Sequence, residues 1–243
     1  MKHLDLFSGI GGFALAARWA GIETVAFCEI EDFPRKVLEK NFPGVPIHRD
    51  IRDLDGREYA GIDLITGGYP CQPFSVAGKR KGQEDDRHLW PEMRRVITQA
   101  RPTWVVCENV TGHITLGLDQ VLTELETEGY SARAFVVPAC AIGANHRRDR
   151  VWIIAHATGD RQQGNERGVT PQKQNHRPPQ ALGARHWGSG AFTNWEKLMG
   201  ESELCRVDDG VSSTVDIRPR LHAYGNAIVP QVAYEILRAI SAH

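Results

Sequence analysis

Short apolar runs alternate with amphipathic stretches along residues 1–156. The runs have the length of buried strands, and the stretches between them place apolar residues at helical spacing. The predicted strands are Lys2–Phe7, Thr24–Cys28, Leu64–Gly67, Trp104–Cys107, Ala132–Val137 and Arg150–Ala155. The predicted helices are Gly12–Ala20, Phe33–Phe42, Trp90–Ala100, Leu118–Glu128 and, near the end of the chain, Asn226–Ile240. This alternation predicts an α/β fold in which helices cover both faces of a sheet.

The composition changes after the last predicted strand. Residues 158–190 are rich in Gly, Gln, Asn, Pro and Arg, and residues 191–218 are irregular and mixed in charge. The basic residues of the first segment are Arg161, Arg167, Lys173, Arg177 and Arg185, and they face only Asp160 and Glu166. Composition alone favours a flexible surface segment, and the alternative is a basic loop that contacts a polyanion.

The length of 243 residues allows one or two domains, at about 100–200 residues for each domain. A formal net charge of -1 excludes a polybasic protein but not an enzyme that acts on nucleic acid through a local basic surface. No apolar run approaches the roughly 18 residues of a membrane span, and we expect no cleaved signal peptide. The five cysteines include no C-x-x-C pair, so neither a disulfide framework nor a structural zinc site is predicted. We expect a cytoplasmic protein.

The chain opens with a glycine-rich turn between a predicted strand and a predicted helix. Gly9-x-Gly11-x-x-Ala14 fits the dinucleotide fingerprint, in which the backbone closely approaches a phosphate or a sugar. Glu29 ends the next strand and is placed to accept hydrogen bonds from ribose hydroxyls, and Asp50 follows a third, short strand and is placed near an adenine amino group. This layout suits either a nicotinamide cofactor or S-adenosylmethionine.

Cys71 lies between two prolines at the end of the fourth strand. The carboxyl edge of a sheet is where α/β folds bind ligands, and Pro70 and Pro73 restrict the backbone around the thiol. These features indicate a nucleophile held in one orientation. Residues 76–88 follow, with Lys79, Arg80 and Lys81 between glycines. They indicate either a lid over a phosphate-bearing substrate or a solvated run of charge.

Two more groups of polar residues lie at the ends of predicted strands. Glu108 and Asn109 end the fifth strand on the same edge, where a carboxyl group can bond a ring nitrogen and hold a proton; a helix-capping carboxylate is the alternative. Arg148 and Arg150 precede or begin the last strand. Strand alternation predicts that both point towards one pocket, although charges at such a position are more often solvated.

Together these motifs resemble those of the cytosine-5 DNA methyltransferases, and they occur in the family's order between residues 5 and 230. The family's D-x-F-x-G-x-G-G, P-C-Q, E-N-V, Q-x-R-x-R and G-N motifs correspond to Asp5–Gly12, Pro70-Cys71-Gln72, Glu108-Asn109-Val110, His146-x-Arg148-x-Arg150 and Gly225-Asn226. One departure is His146, which stands where the family usually has glutamine. The other is the target-recognition segment of the family, which is short here.

The resemblance implies a Rossmann-like methyltransferase sheet and transfer of a methyl group from S-adenosylmethionine to carbon 5 of a flipped-out cytosine in double-stranded DNA. By resemblance, Cys71 adds to carbon 6 and Glu108 bonds the ring N3 and the exocyclic amine. Arg148 and Arg150 face the base carbonyl and a neighbouring phosphate. No metal is implied. The expected catalytic domain spans residues 1–156 and 219–243, with a small irregular target-recognition segment at 157–218, and the expected oligomeric state is a monomer.

The remaining residues implied by the resemblance fall into two sets. The cofactor set is Phe7, Ser8, Gly9, Ile10, Gly11, Gly12, Glu29, Ile30, Asp50, Ile51, Pro70, Asn226 and Ala227. The DNA-contacting set is Gln72, Ser75, Lys79, Arg80, Lys81, Asn109 and His146.

Two alternatives to DNA methylation remain at this point. One branch of the same family methylates cytosine in transfer RNA, so an RNA substrate is the first. A catalytically silent, cofactor-dependent DNA-binding protein is the second, motivated by the short recognition segment. A nicotinamide oxidoreductase is disfavoured, because such an enzyme needs neither Pro-Cys-Gln nor Glu-Asn-Val.

Overall fold

A computed structural model of the chain describes residues 1–70, 89–144, 147–159 and 226–242. Its strands are β1 (Lys2–Leu6), β2 (Glu23–Cys28), β3 (Ile47–His48), β4 (Leu64–Gly67), β5 (Trp104–Val110), β6 (Tyr130–Val137) and β7 (Arg150–Ala157). Within the described part of the chain they form one sheet in the order β3-β2-β1-β4-β5-β7-β6. The pairs among the first five strands are parallel, whereas β7 runs antiparallel to both β5 and β6.

Helices pack on both faces of this sheet, as the alternating pattern predicts. They are α1 (Gly12–Trp19), α2 (Asp32–Asn41), α3 (Trp90–Ala100), α4 (His113–Leu116), α5 (Leu118–Thr127) and α6 (Pro230–Ser241). The buried sides of α3 and α5 pack with Leu4 and Leu6 on one face. On the other face, α1 and α6 pack with Leu64, Val106 and Trp152. None of the helices in the described residues has the length and apolar character needed to cross a membrane.

Side-chain alternation along the central strands divides the core into these two halves. In β4, Leu64 faces the layer of α1 and α6, whereas Ile65 faces the layer of α3 and α5. In β5, Val105 faces the layer of α3 and α5, whereas Val106 faces the layer of α1 and α6. A strand that is buried on both faces reads as a continuous apolar run, so these strands are recognisable in the sequence.

Several predicted boundaries differ from the structure, and two of them are wrong for a clear backbone reason. We predict that the first strand includes Phe7, but Phe7 has φ 52 and the strand ends at Leu6. We predict that the last helix begins at Asn226, but it begins at Pro230. Proline disfavours helical geometry in the residue before it and fits the first helical position well, and Val229 has the extended values φ -86 and ψ 104.

A chain of buried polar side chains crosses the sheet beneath the glycine turn. Thr66 donates from Oγ1 to Asp5 Oδ1 at 2.7 Å, and His3 Nε2 lies 2.6 Å from the same Thr66 oxygen. His3 Nδ1 lies 2.9 Å from Thr24 Oγ1, so the chain links β4, β1 and β2. Burial lowers the pKa of His3 to about 3 and raises that of Asp5 well above its usual value. Both effects favour the neutral forms of these side chains.

The predicted target-recognition segment, residues 157–218, lies almost wholly outside the described residues, so the division into domains stays a prediction. The described residues before and after this segment belong to one compact unit. In that unit, α6 packs against α1, and the end of the chain completes one helical layer of the sheet.

Candidate active site

The glycine turn between β1 and α1 has a backbone that only certain residues can adopt. Phe7, Gly9 and Gly11 all have positive φ values, of 52, 52 and 90. A β-carbon on Gly11 would lie 2.9 Å from atoms of both Leu38 and Phe42, so α2 packs directly against the turn. Glycine at position 11 is therefore required both by the conformation and by the space.

Glu29 holds this turn from behind, at the end of β2. Its Oε2 accepts a hydrogen bond from the Gly9 amide at 2.7 Å, and its Oε1 accepts one from the Glu31 amide at 2.8 Å. The carboxyl group is 8% exposed, and burial raises its pKa. Each carboxylate oxygen retains acceptor capacity, so the predicted ribose contact of Glu29 stays compatible with this arrangement.

A small pocket opens at the glycine turn, on the carboxyl edge of the parallel strands. It is lined by Phe7, Ser8, Gly9, Ile10, Gly12, Phe13, Gly68, Glu108, Asn226, Ala227 and Ile228. Seven residues of the predicted cofactor set line it, together with the predicted catalytic residue Glu108. The sequence analysis did not single out Phe13, Gly68 or Ile228 for this site. Of these three residues, only Gly68 has a signal in the sequence: Gly67-Gly68 ends the apolar run of β4 shortly before Cys71.

The other members of the predicted cofactor set lie around this pocket. Gly11 packs on α2, and Glu29 lies behind Gly9. Ile30 follows Glu29 and is 56% exposed. Asp50 and Ile51 follow β3. Pro70 comes two residues after Gly68. The roles of all the residues in this paragraph in cofactor binding stay predictions.

Glu108 lines the pocket and forms an ion pair with the partly buried Arg150. Arg150 Nε lies 2.9 Å from Glu108 Oε1, and Glu108 is 8% exposed. Burial raises the pKa of Glu108 to about 7, against the opposing influence of Arg150 and Arg148. A carboxyl group with this pKa is present in both protonation states near neutral pH and can therefore hold and deliver a proton.

Different backbone features position the two arginines near this carboxyl group. Arg150 begins β7 and pairs with Val110 of β5, so the antiparallel ladder brings it next to Glu108. Arg148 precedes the strand and has φ 35, so strand alternation does not apply to it. Its Nη2 donates to the carbonyl oxygen of Ala227 at 2.7 Å, which attaches the segment before α6 to the pocket. Both arginines act electrostatically on Glu108, and the prediction that both point into one pocket stays a prediction.

A second buried cluster supports the backbone just before Cys71. Asn109 Nδ2 donates to the carbonyl oxygen of Tyr69 at 3.1 Å, and Asn109 Oδ1 accepts from the Val110 amide at 2.9 Å. The Tyr69 hydroxyl lies 2.7 Å from His113 Nε2. All three side chains are buried, and burial lowers the pKa of His113, which favours its neutral form. The structure thus gives Asn109 an internal contact, and its predicted contact with DNA stays a prediction.

Replacing Tyr69 with phenylalanine tests this cluster. We expect the free energy of unfolding to fall by about 1 kcal/mol, because a buried hydrogen bond between Tyr69 and His113 is lost. Urea unfolding measures the difference. Tyr59→Phe is the matched control: its hydroxyl lies 2.6 Å from His48 Nε2, but this pair is only partly buried. A Tyr59→Phe loss equal to or larger than that of Tyr69→Phe would contradict this account.

Several predicted site residues lie outside the described residues. They are Cys71, Gln72, Ser75, Lys79, Arg80, Lys81 and His146. Within residues 1–70, 89–144, 147–159 and 226–242, no three His, Cys, Asp or Glu side chains cluster in a way that could hold a metal ion.

The strand order and the pocket at the first glycine turn define the class of protein. The fold is that of the S-adenosylmethionine-dependent methyltransferases. The family model of the C-5 cytosine-specific DNA methylases matches residues 1–202. The chain belongs to this family, whose members are generally S-adenosylmethionine-dependent.

Individual proteins agree with this assignment. The chain is 37% identical over 167 residues to the Type II methyltransferase M2.BsuMI of Bacillus subtilis (strain 168), a match covering 64% of this chain and 42% of that protein. It is 33% identical over 159 residues to M.HhaI of Haemophilus parahaemolyticus, covering 63% and 48%. The crystal structure of a mutant DNMT2 from Spodoptera frugiperda matches with 26% identity and a TM-score of 0.57, covering 68% and 53%. The chain thus spans about half the length of these relatives.

Proposed function

We propose that this protein transfers a methyl group from S-adenosylmethionine to carbon 5 of cytosine in double-stranded DNA, through a covalent bond to Cys71. The Glu108–Arg150 pair in the glycine-turn pocket carries the proposal. It places a carboxyl group with a pKa of about 7 beside the strand end that leads to Cys71. Membership of the C-5 cytosine-specific DNA methylase family supports this assignment.

The pocket residues fit S-adenosylmethionine. Beyond its chain neighbours, no atom of the described residues would lie within 4 Å of a β-carbon on Gly9, so the backbone is open there. The buried carboxyl group of Glu29 accepts from the Gly9 amide and has spare acceptor capacity for hydroxyl groups. We assign the holding of the cofactor to Phe7, Gly9, Glu29 and the segment from Asn226. The cofactor supplies an electrophilic methyl group when it is bound.

Glu108 acts on the cytosine ring as a proton donor. Its Oε1 accepts the hydrogen bond from Arg150, which directs the carboxyl proton to Oε2. Oε2 is on the side of Gly68, where a β-carbon would lie 3.8 Å away, so glycine keeps this side open. A proton donated to N3 withdraws electrons from the ring and makes carbon 6 electrophilic.

Cys71 then supplies the nucleophile. Its thiolate forms a bond to carbon 6, and the electron pair of the 5,6 double bond moves towards carbon 5. Carbon 5 then holds the electron pair that would take the methyl group of S-adenosylmethionine, and the sulfonium sulfur of the cofactor would keep the electrons of the bond that breaks. A solvent base takes the proton from carbon 5, and that bonding pair restores the 5,6 double bond as the bond between carbon 6 and Cys71 breaks and Cys71 leaves as thiolate. N3 returns its proton to the Glu108 carboxylate. Arg150 stays paired with Glu108 and is the closer of the two arginines to the base carbonyl in this assignment.

Access to carbon 5 and carbon 6 requires that the target cytosine leaves the duplex. We assign phosphate contacts to Lys79, Arg80 and Lys81, because they follow Cys71 closely in the sequence and cationic side chains can hold a DNA backbone in register. The protein then acts on one strand of a duplex, with cytosine taken into the pocket next to Glu108.

A transfer assay with labelled S-adenosylmethionine tests the proposal. We expect label in duplex DNA of random sequence, at 5-methylcytosine, and none in transfer RNA under the same conditions. Sequencing of the modified duplex then gives the target site. Label in RNA alone would replace this proposal with RNA methylation, and cofactor binding without transfer to either substrate would favour a silent binding protein.

A further inference from the structure

The side chain of Arg95, on α3, is built into the loop that follows β3. Its Nη2 donates to the carbonyl oxygen of Ile51 at 2.6 Å, and its Nη1 donates to the carbonyl oxygen of Leu54 at 2.9 Å. Its Nε donates to Glu92 on the same helix at 2.8 Å, which fixes the plane of the guanidinium group. Two carbonyl groups of one loop therefore depend on a single side chain.

Gln99 extends this contact by one helical turn. Its Oε1 accepts a hydrogen bond from the Gly56 amide at 2.9 Å and another from Arg95 Nη1 at 3.0 Å. A β-carbon on Gly56 would lie 2.7 Å from the carbonyl oxygen of Val96, so the loop lies directly on the backbone of α3. Arg95, Gln99 and the backbone carbonyl of Val96 form one docking platform for residues 51–56.

The same loop carries residues of the predicted cofactor set. Asp50 precedes the docked segment, and its Oδ1 accepts from the Arg52 amide at 3.0 Å. The side chain of Ile51 is 3% exposed and packs in the core. The preceding strand β3 pairs with β2 over only two residues, so the sheet alone gives this loop little support. The position of Asp50 and Ile51 therefore depends on the platform of α3.

We propose that Arg95 is a positioning residue for the cofactor. By holding the carbonyl groups of Ile51 and Leu54 against α3, it sets where Asp50 meets the adenine end of S-adenosylmethionine. It acts through the loop and touches no reacting atom. This inference rests on the proposed function, and on the family resemblance that places Asp50 and Ile51 at the cofactor. A lysine cannot replace Arg95, because a single ammonium centre cannot reproduce the planar fork that serves two carbonyl groups and a carboxylate.

Arg95→Lys in the full chain is the test, with Arg94→Lys as the matched control. Arg94 is the neighbouring residue, with 34% side-chain exposure against 32% for Arg95, and its guanidinium is also bonded twice. Its partner, however, is Glu128 after α5, away from the loop. We expect Arg95→Lys to raise the Kd for S-adenosylmethionine about 10-fold, which corresponds to one charge-assisted hydrogen bond. Arg94→Lys leaves the Kd unchanged, and kcat at saturating cofactor stays within about twofold for both variants.

Hydrogen exchange without cofactor gives a readout independent of activity. In Arg95→Lys, we expect faster exchange in the peptide covering residues 49–60 than in the wild type, and no such change in Arg94→Lys. Gln99→Leu provides a second variant, which removes the acceptor for the Gly56 amide and for one hydrogen bond of Arg95. It should shift the Kd and the exchange in the same direction by a smaller factor.

The outcomes separate this inference from the proposed function. Wild type that fails to bind S-adenosylmethionine would overturn the function assigned to the pocket. Wild type that binds, together with an unchanged Kd in both Arg95→Lys and Gln99→Leu, would overturn the positioning role. Equal losses of affinity in Arg95→Lys and Arg94→Lys would also overturn it, because a general loss of α3 stability would then explain the effect.

Discussion

Glu108→Gln lowers the rate of methyl transfer by about 100-fold, at the lower end of what a positioned acid contributes. The amide keeps the size of the side chain and can accept from Arg150, but it cannot deliver a proton to N3. Single-turnover kinetics with saturating DNA and S-adenosylmethionine isolates this step from product release. A rate within about threefold of wild type would remove Glu108 from the proton-donating role.

The pH dependence gives a sharper test of the same residue. The protonated form of Glu108 is the active one, so the wild-type rate falls as pH rises through about 7. Glu108→Gln loses this step, because its side chain is neutral at every pH. Stability follows the same sign: a folded-state pKa raised from 4.5 to about 7 contributes stability at low pH that is lost as pH rises through 7. Between pH 4.5 and about 7, the free energy of unfolding of wild type therefore falls relative to that of Glu108→Gln as the pH rises.

Glu128→Gln is the matched control for this pair of experiments. Glu128 also forms a part-buried ion pair, with Arg94 Nη2 2.9 Å from its Oε1, but it lies after α5 and outside the pocket. We expect it to keep the wild-type rate and the wild-type pH profile of methyl transfer. A similar loss of rate in both variants would indicate that any broken ion pair slows the enzyme.

Wild-type protein becomes covalently attached to duplex DNA that contains 5-fluorocytosine when S-adenosylmethionine is present, whereas Cys71→Ala does not. Fluorine at carbon 5 cannot leave as the proton does, so the elimination that releases Cys71 is blocked after methyl transfer. Denaturing electrophoresis separates the adduct from free protein, and sequencing of the trapped duplex identifies the site. This experiment tests the nucleophile, the cofactor and the substrate together.

Cys140→Ala is the control for the trapping experiment, because Cys140 is an exposed free thiol. We expect this variant to form the adduct as wild type does. An adduct that forms with Cys71→Ala but not with Cys140→Ala would show that the bond to DNA forms at Cys140 and not at Cys71. Absence of an adduct with every protein that binds S-adenosylmethionine would contradict a covalent mechanism on DNA.

Much of the fold follows from local sequence pattern. The bounds of β4 and α3 agree with prediction residue for residue, because Gly67-Gly68 and the Arg101-Pro102 step end their apolar patterns abruptly. The direction of β7 is not predictable in this way. Its apolar run resembles those of the parallel strands, and only the pairing with β5 and β6 makes it antiparallel. The two-residue β3 is too short for a pattern to give its bounds.

The candidate site was likewise predicted only where local sequence pattern carries the information. Motif residues such as Glu108 and Arg150 are recognisable because their chemistry is carried by residue type and spacing. The contacts of Tyr69 with His113 and of Arg95 with the loop after β3 were not predicted. Each joins residues that are 44 positions apart, and only the folded chain brings them together.

The antiparallel pairing of β5 with β7 has a consequence for how this chain tolerates change. Glu108 and Arg150 are neighbours because their strands share a ladder, in which Val110 lies opposite Arg150. The connecting stretch of helix and strand does not set their separation. Insertions or deletions in surface turns of that stretch thus leave the distance between the two charged groups unchanged, whereas a slip of β7 by one residue would point Arg150 to the opposite face. The register of the β5–β7 pairing therefore sets the distance between Glu108 and Arg150.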